Sequence, residues 1–177
     1  DSGHPFPFLT NHTINAIVRI FQIQPDGTKD YKIAILPIPS VLDRIIEIPS
    51  RGNKEHRFVY LEDVITYYAN QFFQGYGIED YMVFRITRDA DLEIDEEEAT
   101  DLLSEVEASL RRRRRGDAVR LEVCGEVKDN LLDFVLTSVE LEPKDVYRID
   151  GHLDCRMYFN FCNYPGLAQL RYVPFEP

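Results

Sequence analysis

The chain has 177 residues, 44% of them hydrophobic and 12% aromatic, so it is long enough to bury a substantial core as a single domain. Its formal net charge of −11 at pH 7 repels polyanions at long range, which argues against general nucleic-acid binding unless a local basic patch overrides that field. The three cysteines, Cys124, Cys155 and Cys162, lack CxxC spacing, which argues against a disulfide framework and against a zinc site.

The start of the chain lacks the pattern of a targeting signal. The chain begins at Asp1 rather than methionine, shows no charged-then-apolar leader, and has no apolar run long enough to span a bilayer. We therefore expect a soluble, cytoplasmic domain without a membrane span, taken from a longer protein.

The first part of the chain predicts an antiparallel hairpin. Ile14 to Gln24 and Tyr31 to Leu36 have strand character, and Asp26-Gly27 lies between them as a turn signal. The preceding segment, up to Leu9, is rich in proline and aromatic residues, and we expect it to lie over the core without joining it. Prolines and polar residues then separate two short strands and a helix, at residues 45–48, 57–60 and 61–73.

The middle of the chain predicts a strand, a helix and a second strand. Residues 81–86 alternate as a strand does, and residues 118–123 alternate again. Between them, residues 96–115 carry apolar side chains at helical spacing, with glutamates at the start and arginines at the end, which suits the helix dipole. Because a helix of this length is able to connect two parallel strands, we predict a βαβ crossover.

The last part of the chain predicts a helix at 130–139, a short strand at 146–149, a weak helix at 153–161 and an extended C-terminal segment. Strands at both ends with helices between them indicate an α+β domain. We predict a single domain over residues 1–177, with one mixed β-sheet, a leading antiparallel hairpin, the parallel crossover and two to three further helices.

Acidic residues alternate along one segment, at Asp89, Asp91, Glu93 and Asp95. This acidic ladder is similar to the ligand pattern of a calcium-binding loop. The spacing does not fit, because the position that needs glycine is Ile94 and the position that needs a bidentate glutamate is Thr100. A solvated turn is the better interpretation, and we predict no metal site.

Arginines supply two candidate anion sites. The run Arg111 to Arg115 could bind phosphate. Successive arginines on a helix point in all directions around its axis, however, so a solvated helix end is favoured over a binding site. Arg85, Arg88 and Arg120 are the stronger candidates, because two or three of them could converge near one sheet surface. Structural pairing with Asp89, Asp91 or Glu122 is the alternative for these three arginines.

Residues typical of catalysis are scattered. The histidines, His4, His12, His56 and His152, occupy loop or terminal segments, and none has a neighbouring carboxylate or serine that suggests a triad. The glycine pair Gly75 and Gly77 follows a predicted helix rather than preceding one, so it does not form a phosphate loop. We expect no catalytic residue in these 177 residues.

Several segments together resemble one known family. Thr87-Arg88-Asp89-Ala90-Asp91 and the segment from Gly116 to Val123 are the most specific, and the resemblance extends over nearly the whole chain. Further matching segments are Pro5 to Leu9, Ile38 through Arg44 to Pro49, Leu61 to Ile65, Asp95-Glu96-Glu97, Asp101-Leu102-Leu103 and Asp150 to Asp154. The chain departs from the family at Asp43, where proline is expected, and at Ile45, where phenylalanine is expected. On these residues it resembles the middle, or head, domain of bacterial polyphosphate kinase.

The resemblance implies a function for the parent protein. Such a protein transfers the terminal phosphate of ATP to a growing polyphosphate chain, reversibly, with magnesium and through a phosphohistidine. The family places that histidine in later domains that resemble phospholipase D. The head domain is then non-catalytic, binds no cofactor itself, contacts the other domains of its chain, helps to form a dimer and lies beside the tunnel that passes the polymer.

Two other functions stay open from the sequence. The abundance of tyrosine and phenylalanine permits a pure interaction or dimerisation module. Arg85, Arg88 and Arg120 permit a small-anion-binding regulatory domain.

Overall fold

The computed structural model describes residues 6–49, 56–89, 116–165, 168–173 and 175. A five-stranded sheet organises them, with the strand order β2-β1-β5-β6-β7, and a two-stranded sheet of β3 and β4 lies apart from it. The strands are β1 (Ile14–Ile23), β2 (Lys29–Pro37), β3 (Ile45–Ile48), β4 (Arg57–Tyr60), β5 (Gly77–Arg88), β6 (Ala118–Cys124) and β7 (Val146–Ile149). The helices are α1 (Leu61–Tyr67), α2 (Ala69–Phe72) and α3 (Asp129–Val139), and short 3₁₀ helices span Pro143–Asp145, Cys155–Asn163 and Ala168–Leu170.

The first face of the sheet is covered by α3. Met82, Phe84 and Ile86 of β5 point to this face, as do Leu121 and Val123 of β6, because alternate residues of a strand share one side. They pack against the apolar stripe of α3, which consists of Leu131, Leu132, Val135 and Leu136. The helix ends where Glu140 adopts a left-handed conformation, with φ 58°.

The N-terminal segment also joins this core. Leu9 is almost completely buried in the α3 cluster. Phe6 packs against the cluster, with its ring 5.9 Å from that of Phe134. The expectation that this segment lies outside the core is therefore wrong: its apolar residues fill space that α3 alone does not.

The second face of the sheet is covered by α1 and by the loop that follows β7. Ala16, Val83 and Leu153 are buried there together with Leu61, the first residue of α1. The predicted helix over 61–73 is divided into α1 and α2 at Tyr68, which leaves helical geometry with φ −95° and ψ 15°. The weak helix predicted at 153–161 is a 3₁₀ helix over Cys155–Asn163.

The α+β class, the mixed sheet and the leading antiparallel hairpin are confirmed, because β1 pairs antiparallel with β2 while β6 pairs parallel with β7. The parallel crossover predicted between strands 81–86 and 118–123 is wrong, since β5 and β6 are antiparallel. Arg88 pairs with Ala118, and the Asp89 N–H donates to the Asp117 carbonyl at 2.8 Å. The chain therefore leaves and returns at the same end of the sheet. The βαβ unit lies one step later, in β6, α3 and β7, and the helix predicted at 96–115 lies outside the described residues.

Within the described ranges, no helix is both long enough and apolar enough to cross a membrane.

Candidate functional site

Glu122 is a buried carboxylate on the second face of the sheet. Arg85 lies directly opposite it on β5, where its Nε donates to Glu122 Oε2 at 2.6 Å. Arg120, two residues along β6, donates from Nη2 to the other carboxylate oxygen at 3.2 Å. The structure thus brings together two of the predicted anion-site arginines, and both contact the same acid.

Arg120 is the more accessible of the two, with 41% of its side chain exposed. Its guanidinium carbon lies 3.9 Å from the centre of the Tyr147 ring, which is a cation–π distance. Its Nε is buried and has no hydrogen-bond partner within the described ranges. An anion is therefore able to reach only the exposed part of the guanidinium, which does not include Nε.

Arg88 lies on the other face of the sheet and does not join this pair. Its guanidinium donates from Nε to the Leu9 carbonyl and from Nη1 to the Gly116 carbonyl, both at 2.9 Å. The Phe8 ring lies 4.5 Å from the guanidinium carbon. Burial lowers the pKa of Arg88 from its ordinary value. Because Arg88 is an even-numbered residue of β5, alternation directs it toward the α3 side, away from Arg85.

Asp154 is the second carboxylate of the site and begins the 3₁₀ helix Cys155–Asn163. Its Oδ1 accepts from Arg156 Nε at 2.7 Å and its Oδ2 from Arg156 Nη2 at 2.6 Å, while Arg85 Nη1 lies 3.4 Å from Oδ2. The hydrogen bonds from Arg156 lower the pKa of the Asp154 carboxyl below its ordinary value. Arg85 therefore bridges two acids, one on the sheet and one on the following loop.

Arg44 and Glu62 complete the group. Arg44 Nε lies 3.0 Å from both oxygens of Glu62, and Arg44 Nη1 donates to the Asp154 carbonyl at 2.9 Å. Glu62 lies in the first turn of α1 and is almost completely buried. Since a buried charge needs a partner, this pair ties α1 to the segment before β3 and to the loop at Asp154.

These contacts form one arginine–carboxylate network. Its members are Arg44, Glu62, Arg85, Arg120, Glu122, Asp154 and Arg156. Each carboxylate already binds one or more guanidinium groups, so the acids are not available as metal ligands. No group of three or more histidine, cysteine, aspartate or glutamate side chains is arranged to hold a metal in the part of the chain that the structure describes.

A cavity of about 840 Å³ lies between the network and the 3₁₀ helix. Arg85 and Asp154 line it on one side, and Leu153, Tyr158 and Phe159 supply apolar surface. Its size is within the range of small-molecule sites. Its charged groups, Arg85, Glu122, Asp154 and Arg156, are already paired in the network. The rest of its polar lining includes His12, His152, Cys155 and Cys162.

His152 packs beside the network. Its ring centre lies 3.5 Å from that of Tyr60, and its Nδ1 lies 4.0 Å from Glu62 Oε1. Burial, followed by the hydrogen bond to the Tyr158 hydroxyl, raises the pKa of Tyr60 to about 12. Tyr60 is therefore a neutral hydrogen-bonding group at physiological pH rather than an acid–base catalyst.

Cys124 lies at the end of β6, on the same face of the sheet. Burial raises the pKa of its thiol, and its Sγ donates to the Gly151 carbonyl at 2.7 Å. A thiol held in this protonated form is a poor nucleophile.

Sequence reasoning found Arg85, Arg120 and Glu122 because all three lie on two adjacent predicted strands. It missed Arg44, Glu62, Asp154 and Arg156 as parts of a site. Arg44 and Asp154 are 110 positions apart, and no periodicity relates them. The sequence signal available for the two missed acids was the acidic side chains in the segments Leu61 to Ile65 and Asp150 to Asp154. The rest of the acidic ladder, from Asp91 on, and the run Arg111 to Arg115 lie outside the described residues.

Comparison with known proteins gives a consistent result. The family described as "Polyphosphate kinase middle domain" matches residues 1–161. Polyphosphate kinase from Halalkalibacterium halodurans is 41% identical over 183 residues, covering 100% of this chain and 26% of that protein. The Bacillus cereus polyphosphate kinase is 40% identical over 172 residues, covering 96% of this chain and 24% of its own, and the Pseudomonas putida protein is 35% identical over 178 residues, covering 100% and 24%.

A solved structure has the same fold. The crystal structure of polyphosphate kinase from Porphyromonas gingivalis matches with a TM-score of 0.72 at 22% identity, covering 99% of this chain and 24% of that one. The chain therefore spans about a quarter of the length of the relatives that it matches.

Proposed function

Because this chain belongs to the polyphosphate kinase family, as that family's middle domain, we propose that it is the non-catalytic head domain of an enzyme that transfers the terminal phosphate of ATP to a polyphosphate chain. The match to full-length relatives over the whole of this chain carries the proposal. In this proposal the transfer proceeds through a phosphohistidine that lies in the other domains, and the parent protein is a cytoplasmic dimer.

The chemistry of the network supports a positioning role for this domain. Glu62, Glu122 and Asp154 are occupied by guanidinium groups. These three acids are therefore not assigned to magnesium, which would neutralise the phosphates of ATP when bound to the enzyme. The domain's own residues hold the sheet, α1 and the 3₁₀ helix in one fixed arrangement, which is what a wall of a polymer tunnel requires.

The test uses the full-length protein and the 177-residue domain side by side. Both are incubated with ATP, magnesium and a polyphosphate primer, and polymer growth and acid-labile protein phosphate are measured. We expect the full-length protein to extend the primer and to carry phosphate on a histidine outside these 177 residues. Polymer growth or labelled phosphohistidine on the domain alone would contradict the non-catalytic role.

A second candidate role is direct contact with the anionic polymer through Arg85, Arg88 and Arg120. The exposed part of Arg120 favours it, because that guanidinium uses only one of its nitrogens on Glu122 in the described contacts. Arg85, paired with Glu122 and Asp154, would act mainly by orienting its neighbours. Arg88 would contribute from the opposite face of the sheet. Two further roles for the domain remain open: a stand-alone dimerisation module and a small-anion-binding regulatory domain.

A further inference from the structure

The C-terminal part of the chain has a composition unlike the rest. Across the nineteen positions 157–175 only Arg171 is charged, whereas 29% of the whole chain is charged. Six of the same positions are aromatic: Tyr158, Phe159, Phe161, Tyr164, Tyr172 and Phe175. Depletion of charge together with enrichment of aromatic residues distinguishes the centre of a protein interface from ordinary surface.

The structure leaves much of this apolar material exposed. Tyr172, Val173 and Phe175 are 98%, 91% and 90% exposed, and Phe159 and Leu170 are each 74% exposed. Leu170, Tyr172, Val173 and Phe175 are the C-terminal apolar surface. Single exposed apolar residues are ordinary, but four within the six positions 170–175 indicate a surface that has a partner.

Other aromatic residues of the same segment are packed against the small sheet. Phe161 and Tyr164 contact Phe58 of β4, with ring centres 4.7 Å and 5.2 Å away. The 3₁₀ helix is therefore held against the small sheet by one set of aromatic residues. Phe159 lines the cavity and is mostly exposed.

We propose that the C-terminal apolar surface is the site at which this domain docks against the remaining domains of its own polypeptide. This inference rests on the proposed function, in which the domain belongs to an enzyme of which it forms about a quarter. In the matched relatives, about three quarters of the polypeptide lies outside the region that corresponds to this chain. A covalently attached domain is present at a high effective concentration, so it competes well against a second copy for an apolar surface.

Thiol accessibility in the full-length protein tests the proposal. Val173→Cys places a probe on the surface, and Val41→Cys is the matched control, because Val41 is also a valine and is 90% exposed in a loop outside the surface. Each variant is treated with a small alkylating reagent, and labelling of each cysteine is followed by mass spectrometry of its peptide. We expect Cys at 173 to react about ten-fold or more slowly in the native than in the denatured protein, because a covered thiol reacts only through its exposed minority population. We expect Cys at 41 to react at nearly the same rate in both.

Two controls make the result decisive. Cys124, whose thiol is hydrogen-bonded to Gly151, stays poorly labelled in a folded variant. If Cys124 in the Val173→Cys variant is labelled as fast as in the denatured protein, that variant is not folded, and Leu170→Cys is used in its place. Equal labelling of the native and denatured proteins at 173 overturns the proposal. Protection that disappears on dilution to monomers also overturns it, because the partner would then be a second copy.

An activity assay separates this inference from the proposed function. Polyphosphate synthesis is measured on the unmodified full-length protein. Absence of synthesis with protection at 173 contradicts the function and leaves the docking surface standing. Synthesis without protection contradicts the docking surface alone.

Discussion

Glu62 is buried in the first turn of α1, and its carboxylate is bound through both oxygens by Arg44. Removing one partner of a buried ion pair leaves the other charged and desolvated. We therefore expect Arg44→Met to lower the free energy of unfolding by about 3–5 kcal/mol, measured by urea denaturation of the domain.

The control for Arg44→Met is Lys144→Met. Lys144 pairs with Glu142 on the surface, where both side chains are mostly exposed. We expect this control to unfold at the same urea concentration as the unmodified domain, because exposed pairs contribute little. A matching midpoint for Arg44→Met would show that Glu62 finds another partner or reaches water.

Asp154 makes the stability of the domain depend on acid. Its pKa is lowered in the folded state by the hydrogen bonds from Arg156, whereas in the unfolded chain it returns to about 3.9. The stabilisation is therefore complete above the unfolded value, and it is lost as the pH falls from there through the lower folded pKa.

We expect Asp154→Asn to be less stable than the unmodified domain at pH 7 and to lose less further stability between pH 5 and pH 2. Thermal melts at a series of pH values measure this difference. Asp30→Asn is the control, because Asp30 is an exposed residue of β2. Parallel pH profiles for Asp154→Asn and the unmodified domain would mean that the ionised Asp154 carboxylate does not stabilise the folded state.

At the residue scale, the sequence predicted contacts between adjacent strands and missed those that join distant segments. Glu122 was named as a partner for the arginines because Arg85 and Glu122 lie on strands expected to be neighbours. Two of the three arginines converge, as the sequence allowed, whereas Arg88 lies on the opposite face, because it is three positions from Arg85 on β5 and alternate residues of a strand share one side. The partner of Arg44 comes from α1, and no local pattern specifies how a loop packs on a helix.

The junction of β5 and β6 shows the same limit at the scale of elements. Alternation identified both strands, but the length of the connection fits a crossover and a return to the same end equally well. The direction is fixed by contacts at the strand ends. Arg88 donates to the Gly116 carbonyl and pairs with Ala118, and Asp89 bonds to Asp117.

Gly116 is the position at which this junction is most easily broken. A Cβ added to Gly116 would collide with the backbone carbonyl of Asp89, which cannot move without disturbing β5. We expect Gly116→Ala to destabilise the domain by about 1–3 kcal/mol, the range for overpacking a close contact. Denaturant unfolding measures the change.

Gly75→Asn is the matched control for this substitution. Gly75 has a φ of +84° and open space around it, and asparagine tolerates that conformation better than most residues do. We expect a smaller loss than for Gly116→Ala. The opposite order would show that the β5–β6 junction relaxes readily and that its register is not held by close packing at Gly116.

At the scale of the whole molecule, the net charge of −11 opposes approach of a polyphosphate chain. Contact with that polymer therefore needs a local excess of positive charge. The arginine–carboxylate network has four arginines and three carboxylates, and its most exposed guanidinium groups are those of Arg156 and Arg120. The sequence predicted Arg120 for this role, and the geometry adds Arg156.

Arg120→Gln in the full-length enzyme tests whether the polymer touches this domain. Arg85 still neutralises Glu122 in that variant, so we expect the fold and kcat to be retained. We expect KM for polyphosphate to rise about ten-fold at low salt, the size of one charge-assisted hydrogen bond. The slope of log KM against log salt should fall by about one. Each phosphate contact releases counterions when it forms, and the variant forms one contact fewer. Lys144→Gln, which removes an exposed charge outside the network, should change neither quantity. If the two variants behave alike at low and high salt, Arg120 does not contact the polymer and acts only as a partner of Glu122 within the network.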